Sequence, residues 1–209
     1  MMRDAKLLRR AFFNRDPRAV ARELLGKLIV RREGHKKLAG RIVEVEAYLG
    51  AGDLAAHAAA GHTARNAVLW GPPGHAYVYF IYGVHYCLNI SCLPAGEAGC
   101  ILVRALEPVS GIADMAKARE LADLDLTSMR DLRKLASGPG KLCEALGITR
   151  PRDNNKDMLS PESDLQVMSD GFRVDEVAVT QRIGITKSAE LPLRYVIAGN
   201  RFVSIKPVI

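Results

Sequence analysis

The ten residues from Arg41 to Gly50, RIVEVEAYLG, constrain this chain more than any other stretch. Read as a β-strand, they place Ile42, Glu44, Glu46 and Tyr48 on one face and Arg41, Val43, Val45 and Ala47 on the other. Two acids and an aromatic in line require a face that meets water, a cation or a ligand, because an unpaired carboxylate is strongly disfavoured in an apolar interior. Taken alone, the pattern also fits a solvated sheet face. Its neighbours favour a site, since His57 and the aromatic run from Tyr77 to Tyr86 follow within one small domain's reach.

The chain has 209 residues, 48% of them hydrophobic, enough to bury a core, and a single domain over residues 1–209 is expected. A net charge of +7 and a pI near 9.4 favour a polyanionic partner, although many basic proteins never touch nucleic acid. The four cysteines, Cys87, Cys92, Cys100 and Cys143, form no CxxC pair, and the first three lie in or beside apolar strand-like sequence. They read as buried, reduced thiols rather than disulfides or a zinc knuckle. Arginines interrupt each apolar pair of MMRDAKLLRRAFF, and no apolar run is long enough to span a bilayer, so a soluble cytoplasmic protein is expected.

Along the chain, Asp16-Pro17 has the form of an N-cap and first helical residue, with a stop at Gly26. Lys27 to Arg32 and Leu38 to Tyr48 then make a hairpin about a basic turn. The segment AGDLAAHAAAGHTARN is small and flexible in composition, which gives His57 a claim to a site, and Thr63 caps a short helix through Trp70. HAYVYFIYGVHYCLNISCL and CILVRALEP form an antiparallel meander. If Tyr82-Gly83-Val84 is a three-residue loop, Ile81 pairs with His85 and Tyr79 with Cys87, Asn89 shares the face of Tyr79, and Tyr82 stands at an exposed tip. Helices are expected over Ser110–Ala122 and Ser128–Ala136, and a third follows SGPGK, whose entrance and Lys141 can hold one phosphate. Arg150 to Ser163 reads as a polar surface loop; FRVDEVAV, QRIGI, LRYVIA and RFVSI read as strands completing the sheet.

The ordered set RIVEVEAYLG, His57, ARN, YVYFIYGVHYCLNIS, ILVRALEP, SGPGKLCEALGI and QRIGI resembles the alkyladenine, or 3-methyladenine, DNA glycosylase family, and the likeness spans nearly the whole chain. The resemblance implies an α+β fold, a single mixed domain with a curved antiparallel β-sheet flanked by helices. It implies hydrolysis of the N-glycosidic bond of flipped-out alkylated or deaminated purines in duplex DNA, without a lyase step. By position, Glu46 matches the general base that activates water and Arg104 the arginine that helps position it. Tyr48, His57 and Tyr79 match the residues enclosing the base, Asn89 the pocket-floor residue that rejects guanine, and Tyr82 the tyrosine inserted into the minor groove. No metal or cofactor is implied, and a monomer acting on damaged DNA in the bacterial nucleoid is expected. Leu69-Trp70 replaces a common Met-Phe pair and the His57–Asn66 loop is a residue short, departures that bear on base preference.

Three other readings compete. A metal-dependent hydrolase on Glu44, Glu46 and His57 lacks HExxH, HxE with PCxxC, and a calcium loop. A non-catalytic nucleic-acid-binding module would use the tyrosines only for stacking. A nucleotide-binding loop at Ser137–Lys141 lacks the Walker spacing. Glu44 is left as a supporting or structural acid, and Arg182 to Ile185 as a source of backbone groups for the pocket.

Overall fold

The computed structural model describes residues 5–121 and 123–206. Its strands are β1 (Lys6–Leu7), β2 (Leu28–Glu33), β3 (Lys36–Tyr48), β4 (Ala76–Ile81), β5 (His85–Cys92), β6 (Gly99–Ser110), β7 (Leu165–Ser169), β8 (Val177–Thr180) and β9 (Arg194–Ile197). Its helices are α1 (Arg10–Phe13), α2 (Pro17–Leu24), α3 (Ile112–Ala118), α4 (Met129–Ala136), α5 (Pro139–Ala145) and α6 (Arg150–Asp153). The strands form one open antiparallel sheet in the order β1-β7-β2-β3-β6-β5-β4, as expected for the α+β class.

The 13-residue β3 is the hub of this sheet. Its first half lies between β2 and β6; its last residues lie between β6 and β9, which carries β8. The sheet thus branches where the acids stand. At the branch the register of β3 on β6 steps from Ile42↔Leu106 to Glu44↔Ala105 and then to Val45↔Val103, leaving Val43 and Arg104 without opposite partners. Each step is a β-bulge, which turns the following side chains to the other face. Strict alternation from Ile42 therefore fails. Ile42 joins Val45 and Ala47 in the main core, whereas Val43 packs with Ala105 and Phe202 on the other side.

Local sequence accounts for the elements around this hub. The Asp16 carboxylate accepts from the Arg18 amide at 2.7 Å, Pro17 opens α2, and Val20, Ala21 and Leu24 bury its inner stripe. Gly26, at φ +81°, donates to the Ile42 carbonyl at 2.8 Å and turns the chain into β2. On the core face Val78, Leu88, Ile90, Ile101 and Val103 pack with Leu135, Leu142 and Leu146, so α4 and α5 cover the meander.

Several expectations shorten or move. The helix expected over Ser110–Ala122 is Ile112–Ala118, and Ala122 lies outside the described residues, as do Pro207–Ile209. The helix from Thr63 is a single 3₁₀ turn, Ala67–Trp70. QRIGI and RFVSI form no strands; Leu165–Ser169 does instead, pairing β1 with β2. The segment Arg150–Ser163 is not a solvated loop. It includes α6, and it buries Met158 and Asp153, whose carboxylate meets Arg31 and Lys156, each at 2.8 Å. Polar composition misleads here because charged residues can be buried when paired.

Gly50, directly after the acidic strand, has φ +83°, and a Cβ there would fall 1.6 Å from the Ala98 carbonyl oxygen. Gly50→Ala is expected to lower stability by more than about 3 kcal/mol. Gly34→Ala, at φ +56° with no atom within 4 Å of its Cβ, should lose only about 1 kcal/mol. Urea unfolding of the two variants measures the difference, and equal losses would show that backbone strain alone governs both turns.

Candidate active site

The two acids of β3 are fully buried yet satisfied. Glu46 Oε1 accepts from the Ile183 amide at 2.8 Å and faces Arg104 Nη1 at 3.2 Å, and Oε2 accepts from the Tyr48 hydroxyl at 3.0 Å. Glu44 Oε1 accepts from Arg104 Nε at 2.9 Å, Arg194 Nε at 2.8 Å and Ser204 Oγ at 2.9 Å; its Oε2 accepts from the Ser204 amide at 2.6 Å. Arg104 follows Cys100 and Leu102 on the cleft face of β6 and, standing at the bulge between the partners of Glu44 and Val45, reaches both acids.

The two carboxyls titrate in opposite directions. Burial pushes Glu46 above the usual carboxylate range, and Arg104, the Ile183 amide and the Tyr48 hydroxyl only partly offset this, while the charge of Glu44 adds to it. Burial also acts on Glu44, but Arg104, the Ser204 amide and Arg194 together hold it below that range. Arg104 thus favours the ionised form of Glu46 without prevailing over desolvation.

In front of this cluster lies a cleft of about 320 Å³. Tyr48, Tyr77, Tyr79, His57, Asn89 and Arg104 are among its lining residues. The meander has the expected register, Tyr79↔Cys87 and Ile81↔His85, and it brings Tyr77, Tyr79, Asn89 and Arg104 to one face. Glu46 itself is covered; it lies behind the wall made by Tyr48, Arg104 and Ile183. Asn89 donates to the Tyr77 carbonyl at 3.1 Å, and its Oδ1 accepts from the Cys100 thiol at 3.8 Å, so its amide orientation is set by neighbours. All four cysteines are free and buried, matching the expectation of reduced thiols.

His57 stands at the cleft mouth, edge-on to Tyr79 at 4.6 Å between ring centres, with Nδ1 2.9 Å from the Tyr77 hydroxyl. Desolvation, followed by the charge of Arg65, lowers its pKa, so the neutral ring is favoured. Burial pushes the Tyr77 phenol up to about 12, so it stays protonated at neutral pH. Tyr82 occupies the hairpin tip on the cleft rim, 80% exposed and at φ +54°. A tyrosine in the left-handed region is uncommon, and Gly83 at φ +71° completes the turn. Lys141 lies exposed in the first turn of α5; Pro139 and Gly140 of that turn line the cleft, and Lys141 does not.

Sequence reasoning missed what holds the cleft's loops. Asp53 and Arg182, both buried, make a two-pronged ion pair at 2.6 and 2.8 Å, and the Arg182 guanidinium also lies 4.6 Å from the centre of the Tyr48 ring. The segment after Gly50 is thereby anchored despite its small, flexible composition. Asn66 donates to the carbonyls of His57 and Gly61 at 3.0 and 2.9 Å and accepts from the Thr63 amide at 2.7 Å, which shapes the His57 loop. The only sequence signal was the ability of Asp and Asn to bond nearby backbone. Arg182, 129 residues from Asp53, offered none. Ile183 to Ile185 do line the cleft, as expected of that stretch. Among the described residues no group of three or more His, Cys, Asp or Glu could hold a metal ion, and no helix is long and apolar enough to cross a membrane.

A family model described as Methylpurine-DNA glycosylase (MPG) matches residues 11–201. A protein named "Putative 3-methyladenine DNA glycosylase" from Koribacter versatilis is 66% identical over 197 residues, 94% of this chain and 92% of its own length. Proteins of the same name from Methanoculleus marisnigri and Burkholderia cenocepacia are 50% and 44% identical, each over 93% of this chain and over 96% and 89% of their own lengths. The fold and the match together define a DNA glycosylase, a hydrolase acting on N-glycosyl bonds. The chain belongs to the methylpurine-DNA glycosylase family.

Asp53→Ala strands the buried Arg182 cation, and a loss of about 3–5 kcal/mol is expected by denaturant unfolding at neutral pH. Against burial, Arg182 and the Leu49 and Ala55 amides hold the Asp53 pKa below its unfolded value. The wild-type contribution is therefore present above the unfolded pKa and lost as pH falls through the folded one. The gap between wild type and variant should narrow over that acid window, and a gap constant with pH would refute the ion-pair origin.

Proposed function

We propose that this protein excises damaged purines from duplex DNA by water-mediated hydrolysis, with Glu46 as general base and Arg104 helping to position the water. The observation that carries this reading is the desolvated carboxylate of Glu46 directly behind the wall of an aromatic cleft, with an exposed tyrosine on the same rim. A glycosidic carbon inside a duplex is out of reach, so the nucleotide must swing out and the gap must be filled. Tyr82 fills the gap, and Tyr48, Tyr79 and His57 enclose the base. Unstacking costs a few kcal/mol, and stacking on an aromatic returns about 1–3 kcal/mol per base.

Among the described residues Glu46 Oε2 accepts from Tyr48 alone, which leaves it capacity for a hydrogen of water. As the water oxygen attacks C1′, Glu46 takes its proton and the C1′–N bond breaks with the electron pair leaving on the base. An N3- or N7-methylated purine is cationic and departs neutral, so no separate acid is needed; a neutral leaving base needs a proton from solvent. Substrates of the first kind are 3-methyladenine and 7-methylguanine, and of the second hypoxanthine and ethenoadenine. Tyr48 and Tyr79 offer electron-rich rings that favour a cationic base over normal purines. Asn89 disfavours the exocyclic amine of normal guanine. Because the nucleophile is water rather than a lysine amine, excision proceeds without strand cleavage. One wedge engages one duplex, so a monomer suffices, and Lys141 contacts a phosphate beside the cleft.

The covered state of Glu46 is the observation favouring the rival, a non-catalytic module in which the tyrosines only stack. Base release from duplexes carrying a single damaged purine separates the two. Glu46→Gln should lose at least about 10²-fold in single-turnover rate while retaining duplex affinity. The wild-type rate should rise with pH on an acid limb lying above the ordinary carboxylate range, because burial disfavours ionised Glu46. A variant that matches wild type would leave the stacking module standing. Tyr82→Ala should weaken binding to the damaged duplex by roughly tenfold, with the undamaged duplex much less affected; equal weakening would remove the wedge assignment.

A further inference from the structure

Glu44 is fully buried, and the cleft chemistry proposed above does not use it. It nevertheless accepts from more donors than Glu46 does. Donors reach it from three directions: Arg104 on β6, Arg194 on β9, and Ser204 in the segment after β9. Arg194 is itself held by Thr180 Oγ1 at 3.1 Å and by the Ile205 carbonyl. The charges alternate in a line, Glu46, Arg104, Glu44, Arg194, with Arg104 shared between two carboxylates.

We infer that Glu44 is a positioning residue: it divides the Arg104 guanidinium between itself and Glu46, and the clasp of Arg194 and Ser204 on Glu44 sets how much of that charge Glu46 receives. The inference rests on the reading of Glu46 as the base. It follows from geometry, since Arg104 offers Nε to Glu44 at 2.9 Å and Nη1 to Glu46 at 3.2 Å, so one guanidinium charge is shared between two carboxylates. The groups facing Glu46 are Tyr48 and Glu44 from its own strand, Arg104 from β6, Cys87 from β5, and Arg182 with the Ile183 amide from the segment after β8. Of these, Arg104 is the cation in direct contact, so its share controls the strength of the base. The segment through Ser204, outside the cleft, thereby acts on the reacting acid through two intervening side chains.

Opposite shifts of the acid limb test this. In Glu44→Gln the negative neighbour is gone and Arg104 turns wholly to Glu46, so Glu46 binds its proton less tightly. The limb of single-turnover release from a 7-methylguanine duplex should move to lower pH by about half to one unit. The plateau should fall by about ten- to a hundredfold with little change in KM, because the base is weaker and Arg104 less fixed. In Ser204→Ala, Glu44 loses one donor and draws harder on Arg104, so the limb should move up by roughly a few tenths of a unit. Glu44→Asp keeps the charge and should return the limb toward wild type.

A limb that stays in place while the plateau falls, or shifts of the same sign in both variants, would reduce Glu44 to a structural acid and overturn the inference. Should Glu44→Gln fail to fold, Ser204→Ala decides alone, since it keeps the backbone donor to Glu44, and an unmoved limb there overturns the inference. These outcomes presuppose an active wild type with an inert Glu46→Gln. Failure of either control defeats the proposed function itself and is read separately.

Discussion

Two carboxylates two residues apart on one strand can be buried together only because guanidiniums from two other strands stand between and beside them. Each uncompensated ion would cost several kcal/mol. Arg104 and Arg194 reduce that cost, and the Ser204 and Ile183 amides complete the coordination. The architecture of the sheet follows from this requirement. β3 must be long enough to pair with β2 at one end and β9 at the other, and Arg104 must stand on the cleft face of β6 at the level of the two acids.

The same cluster explains why two similar glutamates differ. Glu44, with charged and neutral donors filling both oxygens, is stabilised as an anion. Glu46, nearer the cleft wall and with a hydroxyl, an amide and one longer contact to Arg104, is held less firmly in that form. A carboxylate of raised pKa suits the general-base role proposed for Glu46 better than one locked as an anion.

In front of the acids, the cleft combines a rigid wall with loops tethered at a few points. The meander supplies Tyr77, Tyr79 and Asn89 from paired residues, so their spacing is set by the ladder, and Arg104 joins them from the bulge of β6. The His57 loop has little apolar content to hold it, and it depends on Asn66 and on the Asp53–Arg182 pair. At the rim the backbone of Tyr82 is held in a sparsely populated conformation and its ring is exposed.

The sequence by itself determined the parts governed by short-range rules. The hairpin register from Tyr79 to Asn89, the exposed tip at Tyr82, the capped start of α2 and the buried thiols follow from period two, turn glycine and apolar context. The order of its motifs was enough to mark the glycosylase family. Only the tertiary structure decided that Ile42 leaves the face of the acids, because a bulge depends on how two strands meet and breaks the local period. It also decided the burial of Asp153 and the joining of Asp53 to Arg182 and of Glu44 to Arg194 and Ser204. Those partners lie more than a hundred residues apart, and ion pairs across such distances leave no periodic trace; the attraction that offsets their desolvation exists only once the chain has folded.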